Sequence, residues 1–496
     1  MTAPVIIVGA GIAGLWTALE LAPHPVTLLT GAPLGTGAAT GWAQGGIAVS
    51  AGDSDSIHSH TKDTLAAGAD LCDPAAARTL AADIEPQVRA LQTLGVPFDL
   101  DGQGALSLGL EAAHSHARIA HISGDQAGAE ILATLVRAVR KSAHIDIREG
   151  WRAVALLPDA TGGCAGVLAR NHNGIVQDIL ASRTVLATGG FGGIFADTTS
   201  PPGAIGSAVA MAHRLGAEIA NPEFVQFHPT AIRTGADPLP LATEALRGAG
   251  ASLVNKNGQP ITDDDLGPRD KVARAVHRAA RSDDGAWLDC REAVGDRFPE
   301  AFPGVFAACM AAGIDPRTTP IPIAPAAHYT MGGIATDLEG RTSVDGLWAV
   351  GECACNGLHG ANRLASNSLA EGLVFGHRAA AALAAAPVRR VRPGRAEIPP
   401  ALPPIVLQGL RLAMSQLAGV ERNAYELQDL LARIDRLTRR FGESDAILTA
   451  RLIAGAALDR RESRGSHFRT DYPDRLPNAR NTIIRQTNPQ ELVAAE

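Results

Sequence analysis

The feature that most restricts the possible fold is a glycine-rich turn near the start of the 496-residue chain. The apolar run Val5-Ile6-Ile7-Val8 is typical of a buried parallel strand, and it leads directly into Gly9-Ala10-Gly11-Ile12-Ala13-Gly14. A helical segment over residues 15–21 and a second apolar strand over residues 26–29 follow. A G-x-G-x-x-G motif in this context predicts dinucleotide binding, because the glycines permit a tight turn, close approach to a pyrophosphate and helix–strand packing.

The second strand indicates which dinucleotide is bound. It ends at Thr30-Gly31, where an NAD-binding protein would be expected to carry a ribose-binding Asp or Glu. Its absence weakens the NAD interpretation and leaves FAD open. Two further segments are small and glycine-rich, residues 40–48 and the end of a strand at Thr188-Gly189-Gly190, and both suit a backbone that lies against a planar cofactor. An ordinary loop remains the alternative for the first of them.

Composition and charge exclude several function classes. Hydrophobic residues make up 46% of the chain and charged residues 19%, which excludes a disordered protein. The net charge of −7, unclustered basic residues and 4% aromatic content argue against a nucleic-acid-binding surface. The apolar run at residues 5–19 is shorter than a membrane span and contains three glycines, so we expect neither a membrane segment nor an export signal.

The cysteines and histidines do not favour a metal site. Six scattered cysteines predict reduced thiols in a cytoplasmic protein, and Cys353 and Cys355 form the one close pair. His114, His116 and His121 follow Glu111, but no carboxylate or thiolate spacing completes a metal-ligand set. We interpret this segment as the polar wall of a pocket.

The order of segments predicts an α/β fold with a Rossmann-like cofactor domain in two parts, residues 1–222 and 331–386. Residues 223–330 differ in texture and are predicted to form an inserted α+β domain. Residues 387–404 are rich in Pro and Arg and make a plausible linker, and residues 405–496 carry apolar side chains at helical spacing, which predicts a C-terminal helical domain.

The polar stretch at residues 357–369 is predicted to be a glycine-broken turn that enters a helix. Free N–H groups at a helix start favour an anion, and Arg363 can bind a carboxylate with two parallel hydrogen bonds. Taken alone, the stretch is more typical of a surface helix with Ser and Asn caps, and only the other motifs of the chain favour an anion site.

Together these motifs resemble the L-aspartate oxidases, which belong to the flavoprotein superfamily of the succinate dehydrogenase and fumarate reductase flavoprotein subunits. The resemblance covers nearly the whole chain and includes residues 9–14, 43–47, 187–190, 226–230, 243–248, 268–270, 328–329, 357–369 and 461–473. It implies a FAD-binding domain interrupted by a capping domain.

The resemblance also implies site residues. For substrate binding they are Glu111, His228, Thr230, Glu244, His328, Arg363 and Ser366. For catalysis they are Arg269, as the proton-transferring arginine, together with Glu111, His228, His328 and Arg363. For FAD binding they are Gly9, Gly11, Ile12, Ala13, Gly14, Thr40, Gln44, Gly45, Gly46, Thr188, Gly189, Gly190, Glu352, Asn367, Ser368 and Leu369.

Two positions favour the oxidase branch. Succinate dehydrogenase-like subunits bond FAD covalently through a His shortly before the Ala-Gln-Gly-Gly motif, and this chain has Ala39 there, which implies non-covalent FAD. Glu111 matches an acidic residue of the aspartate oxidases. At the same position the dicarboxylate enzymes carry a neutral Gln, so the resemblance favours the oxidase branch. Two residues depart from the superfamily pattern. Ser207 replaces an Asp usually assigned to FAD, and Met331 replaces a Cys. Each departure affects one individual contact and leaves the predicted fold unchanged.

The resemblance implies oxidation of L-aspartate to iminoaspartate, with hydride transfer from the substrate Cα to flavin N5. Oxygen or fumarate would reoxidise FAD, and the product would feed quinolinate and NAD biosynthesis, with a quinolinate synthase as a conceivable partner. Glu111 would orient or accept the ammonium proton. Two alternatives stay open at this point: a fumarate reductase or succinate dehydrogenase-type flavoprotein that acts on a dicarboxylate, and a cofactor-binding protein without catalysis.

Overall fold

The computed structural model describes residues 4–51 and 55–486. Along these residues the strands are β1 (Val5–Val8), β2 (Val26–Thr30), β3 (Ile47–Ala48), β4 (Leu108–Gly109), β5 (Ile119–Ala120), β6 (Ile145–Glu149), β7 (Trp151–Pro158), β8 (Cys164–Asn171), β9 (Val176–Leu180), β10 (Thr184–Leu186), β11 (Ile219–Ala220), β12 (Val225–Ile232), β13 (Ser252–Val254), β14 (Trp287–Asp289), β15 (Ile321–Thr330), β16 (Gly333–Ala335), β17 (Leu347–Ala349), β18 (Ala354–Cys355) and β19 (Ile483–Ile484). The α-helices are α1 (Ile12–Glu20), α2 (Ile57–Ala67), α3 (Pro74–Leu94), α4 (Ala127–Lys141), α5 (Ser207–Arg214), α6 (Glu244–Gly248), α7 (Arg269–Arg281), α8 (Phe298–Ala301), α9 (Pro303–Ala311), α10 (Asn367–Ala385), α11 (Pro404–Leu417), α12 (Ala424–Phe441) and α13 (Asp445–Asp459).

A five-stranded parallel sheet forms the centre of the cofactor domain, with strand order β17-β10-β1-β2-β6. The short apolar strands are buried on both faces, as expected for a parallel sheet covered by helices. Helix α10 packs closely on α1, and a Cβ on Gly372 would stand 2.8 Å from the Ile12 side chain. Because β1, β10 and β17 end at the same edge, the segments after them meet there. The predicted α/β class is confirmed.

A four-stranded antiparallel sheet, β12-β15-β14-β13, lies within residues 225–330. Helices α6 to α9 accompany it and share an apolar core with it, which includes Ile232, Leu253, Val276 and Phe298. The register of β12 against β15 is irregular at two places, beside His328 and between His228 and Ala231. Such irregularities re-aim side chains, and here both histidines come to lie together.

The remaining elements surround these two sheets. Strands β7, β8 and β9 form two consecutive antiparallel hairpins, with turns at residues 159–163 and 171–175. Helices α11 to α13 follow the Pro/Arg-rich segment, and the helical period predicted for α12 is visible in the burial of Leu427, Leu430 and Ile434. Among residues 4–51 and 55–486, no helix has the length and apolar character that crossing a bilayer requires.

Candidate active site

The glycine-rich turn forms a tight cradle at the carboxyl edge of the parallel sheet. Gly9 has a φ of +116°, and a Cβ there would collide with the carbonyl oxygen of Ala187 on the neighbouring strand. A Cβ on Gly14 would collide in turn with the carbonyl oxygen of Gly9. The N–H of Ile12 donates to Thr40 Oγ1 at 3.0 Å, so Thr40 holds the first turn of α1. The cradle leaves the start of α1 bare of side chains, which fits a pyrophosphate.

Two further segments complete this edge. Glu352, which follows β17, accepts a hydrogen bond from the N–H of Thr330 at 3.0 Å, and burial raises the pKa of its carboxyl to about 7. A Cβ on Gly190 would collide with the carboxyl of Glu352, so this arrangement requires glycine at position 190. On the opposite side, Gly46 has a φ of +138°, and the buried Oε1 of Gln44 has no hydrogen-bond partner among the described residues. An orphaned buried acceptor beside a glycine cradle fits a polar cofactor such as FAD.

The polar stretch at residues 357–369 differs from its sequence-based prediction in one respect. Helix α10 begins only at Asn367, so Arg363 lies in the preceding loop and not in the first turn. Ser366 occupies the N-cap position with a φ of +57°, and its side chain makes no capping hydrogen bond. The predicted Ser cap is therefore wrong at this position. The reason is that tertiary contacts hold Ser366 in a left-handed conformation that local propensity disfavours.

Arg363 is a buried cation without a carboxylate partner among the described residues. Its Nη1 donates to Ser368 Oγ at 3.3 Å, while its Nε has no partner. The guanidinium lies over the ring of Tyr329, 4.6 Å from the ring centroid, in a cation–π contact. Burial and the nearby cation of Arg269 lower the pKa of Arg363 to about 10. Such a buried, uncompensated guanidinium is poised to bind an anion.

His228 and His328 face one another at the irregular part of β12 and β15. Their ring centroids are 5.1 Å apart; His228 is fully buried, and His328 is partly exposed. The N–H of Thr230 donates to Nδ1 of His228 at 3.3 Å, which leaves the imidazole proton on Nε2. Oγ1 of Thr199 lies 2.9 Å from Nδ1 of His328. Burial, reinforced by Arg269, lowers the pKa of both rings well below the ordinary value, so both are neutral donors at neutral pH.

Arg269 is held by two neighbours. Its Nε donates to Glu244 Oε2 at 2.6 Å, and its Nη1 donates to Gln226 Oε1 at 3.1 Å. Gln226 in turn donates to the side-chain oxygen of Asn362 at 2.8 Å and to the carbonyl of Arg363 at 2.9 Å. The amide of Gln226 therefore links the antiparallel sheet to the loop that carries Arg363.

A second buried arginine approaches Glu244 from the other side. Nη2 of Arg247 lies 3.7 Å from Glu244 Oε1, and the two are three residues apart on α6. Burial acts to raise the pKa of Glu244, but the guanidinium groups of Arg269 and Arg247 outweigh it and hold this pKa below the ordinary value. Glu244 is therefore ionised at neutral pH and compensates part of the arginine charge.

Glu111 is the second buried carboxyl. Ser366 Oγ donates to its Oε2 at 2.6 Å, and a Cβ on Gly45 would stand 2.6 Å from its Oε1, so the carboxyl lies directly against the Gly45 backbone. Burial raises the pKa of Glu111, and the negative charge of Glu244 adds to this effect. Together, the side chains of Glu111, His228, Glu244, Arg247, Arg269, His328 and Arg363 are named here the substrate cluster.

The structure brings the predicted substrate residues into this one region, while the histidines after Glu111 serve other contacts. Within the described ranges, no group of three or more His, Cys, Asp or Glu side chains is arranged to hold a metal ion. All six cysteines are free thiols. No role was assigned from the sequence to Gln226, Arg247 or Tyr329, although each lies within a motif already noted. Their place inside these motifs was the one feature of the sequence that pointed to them.

Comparisons with known proteins decide the family. A family model described as "FAD binding domain" matches residues 4–369, and one described as "Fumarate reductase flavoprotein C-term" matches residues 442–490. The L-aspartate oxidase of Caulobacter vibrioides is 50% identical over 487 residues, which cover 97% of this chain and 95% of that protein. The L-aspartate oxidase of Mesorhizobium japonicum is 47% identical, with 95% of this chain and 92% of that protein covered.

The chain belongs to the L-aspartate oxidase family. The predicted family is thereby confirmed. Among solved structures, the FrdA chain of E. coli quinol fumarate reductase is similar, with a TM-score of 0.87, 29% identity, and coverage of 97% of this chain and 94% of that chain. Mycobacterium smegmatis Sdh1 in complex with UQ1 is similar with a TM-score of 0.83 and 29% identity, over 100% of this chain and 97% of that chain.

The two departures from the superfamily pattern have visible settings in this oxidase-family chain. Ser207 begins α5, and the residue before it, Gly206, has a φ of +81° and lies against Thr449 of α13. Met331 is buried in a small apolar cluster with Phe224, Tyr329 and Ala361. Among the described residues, neither side chain hydrogen-bonds to the substrate cluster.

Proposed function

We propose that this protein oxidises L-aspartate to iminoaspartate with FAD. The observation that carries the proposal is the buried carboxyl of Glu111 in a cluster with three arginines, one of which, Arg363, lacks a carboxylate partner among the described residues. L-Aspartate has two carboxylates and one ammonium group. A site with several cationic or neutral donors and one opposing carboxylate matches that pattern of charge.

In this proposal the carboxylates of the substrate bind to Arg363 and to the neutral donors His228 and His328. Thr230, whose hydroxyl donates to the carbonyl of Ala242 at 2.8 Å, orients His228 through its N–H. The position of the imidazole proton on Nε2 of His228 makes that atom the donor. Both rings stay neutral at neutral pH because burial holds their pKa low, and each neutral ring still has one N–H to donate. Two anchored carboxylates fix the direction of the substrate Cα, which is the main contribution that a protein makes to such a reaction.

Glu111 would bind the substrate ammonium and accept a proton from it. Loss of that proton leaves a nitrogen lone pair that helps the Cα–H bond break. The hydride would pass to N5 of bound FAD, which supplies the redox chemistry. Arg269, fixed by Glu244 and Gln226, would stabilise charge on the substrate. Its role as an acid or base rests on the family resemblance alone, since a guanidinium normally stays protonated.

FAD would be held by the residues of the sheet edge and of the start of α10. They are Gly9, Gly11, Ile12, Ala13, Gly14, Thr40, Gln44, Gly45, Gly46, Thr188, Gly189, Gly190, Glu352, Asn367, Ser368 and Leu369. We propose non-covalent attachment, because Ala39 offers no nucleophile at the position of the covalent histidine. We further propose a cytoplasmic enzyme that is reoxidised by oxygen or fumarate and feeds quinolinate and NAD biosynthesis, with quinolinate synthase as a coupling partner.

The deciding experiment is an anaerobic titration of the purified flavoprotein with L-aspartate, followed by the absorbance of the flavin. We expect L-aspartate to bleach the flavin and succinate to leave it oxidised. Bleaching by succinate alone would favour the alternative, a fumarate reductase or succinate dehydrogenase-type activity, which the similarity to FrdA makes the natural comparison. A flavin that no dicarboxylate reduces would refute both activities and support a cofactor-binding protein without catalysis.

A further inference from the structure

A buried polar network lies behind Glu111, and the proposed reaction makes no use of it. Its centre is Arg118, whose side chain is fully buried. Arg118 binds Asp55 through two parallel hydrogen bonds, from Nε at 2.8 Å and Nη2 at 2.9 Å, and it binds Asp63 from Nη1 at 2.5 Å. Two carboxylates on one guanidinium fix its orientation, so the third direction in which Arg118 donates is also defined.

That third contact is to His114. Nη1 of Arg118 lies 3.1 Å from Nδ1 of His114, and a guanidinium N–H can only donate, so Nδ1 is the acceptor. The ring proton therefore sits on Nε2, which donates to the carbonyl of Ala365 at 3.0 Å. Burial lowers the pKa of His114 to about 4, which keeps this arrangement at neutral pH.

A second buried histidine holds the other side of the same turn. Nε2 of His60 lies 2.9 Å from the side-chain oxygen of Asn367, whose Nδ2 donates to Thr64 at 3.1 Å. Since an amide oxygen can only accept, His60 is the donor. The turn from Ala365 to Asn367 is thus bound by one histidine at each end.

Ser366 is the residue between these two attachments. Its φ of +57° is unusual for a residue with a side chain, so the surrounding contacts must impose it. In this conformation its hydroxyl donates to Glu111. His114 lies three residues after Glu111, and its N–H donates to the Glu111 carbonyl at 3.2 Å. Two side-chain hydrogen bonds therefore join the segment of Glu111 to the turn at Ser366. In one, His114 donates to the carbonyl of Ala365; in the other, the hydroxyl of Ser366 donates to Glu111.

We propose that His114, oriented by Arg118, is a positioning residue that sets the direction of the Glu111 carboxylate through the turn at Ser366. It thereby determines how well the site distinguishes a dicarboxylate that carries an α-ammonium group from one that does not. The proposal rests on the function proposed above, in which Glu111 binds the ammonium. His114 does not touch the substrate in this scheme. It acts only through Ala365 and Ser366.

Two substitutions of the same residue separate the two bonds of His114. In His114→Asn the amide oxygen reaches the Nδ1 position and still accepts from Arg118, but the donor to Ala365 is lost. In His114→Gln the amide nitrogen reaches the Nε2 position and restores that donor. A matched control is His144→Asn, because Nε2 of His144 also lies 3.0 Å from a backbone carbonyl, that of Ala18, far from Glu111.

The measurements are KM for L-aspartate and the inhibition constant of succinate, both on the flavin-loaded enzyme. We expect His114→Asn to raise KM for L-aspartate about tenfold, because a charge-assisted contact is misaligned, with less than about a twofold change for succinate. His114→Gln should recover most of the loss, and His144→Asn should leave the ratio of the two constants unchanged.

Equal changes for the two ligands in His114→Asn, no change at all, or an equal shift of the ratio in His144→Asn would each overturn the proposal. Should His114→Asn fail to fold, Ser366→Ala removes only the hydroxyl and must shift the same ratio, and an unchanged ratio there also overturns it. Failure of the proposed function would look different, since the unmodified enzyme itself would then not be reduced by L-aspartate.

Discussion

Replacing Glu111 with Gln tests the central feature of the proposed site. The substitution keeps the size and one acceptor of the side chain, but it removes the negative charge. Within the substrate cluster, the three guanidinium groups of Arg247, Arg269 and Arg363 face two carboxyls, Glu111 and Glu244, and both imidazoles are neutral. With both carboxylates ionised the cluster carries one net positive charge. L-Aspartate carries one net negative charge, so the complex is neutral.

The same count predicts the effect of the substitution. In Glu111→Gln the cluster gains one unit of positive charge, so it is balanced by succinate and no longer by L-aspartate. A lost charge-assisted hydrogen bond to a buried partner costs about 1.5 to 3 kcal/mol, which corresponds to a loss of roughly 10- to 150-fold in kcat/KM for L-aspartate. Succinate should bind as tightly as before or more tightly, because the carboxylate that repels it has gone.

The assay compares kcat/KM for L-aspartate with the dissociation constant of succinate, measured by its perturbation of the flavin spectrum. The matched control is Glu462→Gln, since Glu462 is also buried and paired with arginines, Arg460 and Arg464, but lies outside the substrate cluster. That variant should change both quantities equally or not at all. If Glu111→Gln weakens L-aspartate and succinate by the same factor, Glu111 does not bind the ammonium, and the charge argument fails.

Four further predictions concern the same site. Arg363→Leu should lower turnover with L-aspartate more than about 100-fold, because breaking the buried pair of Arg363 and the substrate carboxylate costs roughly 3 to 5 kcal/mol. The flavin-to-protein ratio of the purified enzyme should stay unchanged, and normal turnover would contradict this role. Tyr329→Leu should weaken dicarboxylate binding about 5- to 30-fold, because the cation–π contact with Arg363 is lost. Tyr329→Phe keeps the ring and should bind more tightly than Tyr329→Leu, so equal affinities of the two variants in a spectral titration would exclude a role for that contact. The pKa of Glu111 is raised, and the ionised form binds the ammonium, so kcat/KM for L-aspartate should fall as the pH drops through a pKa above the ordinary glutamate value, and this limb should be missing from the pH profile of Glu111→Gln. Acid precipitation should release all flavin into the supernatant, and flavin retained in the pellet would show that Ala39 does not prevent covalent attachment.

Much of the fold could be predicted because its signals are local. Strand β1, the glycine turn and α1 follow from a run of apolar residues and three glycines whose spacing has a steric reason. The turns within β7 to β9 and the helical period of α12 are likewise set by neighbours in sequence. The order of these elements along the chain then predicted an α/β fold, and the family resemblance supported it. It also directed attention to the residues that meet in the substrate cluster.

The contacts that hold those residues could not be predicted, because they join segments that are distant in the chain. Gln226 reaches Arg269 and the loop at Arg363 through a single amide, and nothing in its motif indicates either partner. Serine is a residue type that favours helix N-caps, yet the backbone of Ser366 is left-handed and its hydroxyl donates to Glu111. Local propensity favours a cap at such a position, and only the attachment of both neighbouring residues to buried histidines reverses it.

The two kinds of substrate recognition are built on different parts of the chain. His228 and His328, the neutral donors proposed for the carboxylates, lie on strands β12 and β15 of the antiparallel sheet, and Arg269 begins helix α7 beside it. Glu111 instead packs against Gly45 and Ser366, in segments next to the parallel sheet. Arg363 shares the loop before α10 with Ser366, but the two histidines lie on other elements, so the charge preference of the site depends on a few side chains around residue 111. A change there can alter which dicarboxylate is accepted while the arginine cluster and its bonds stay in place.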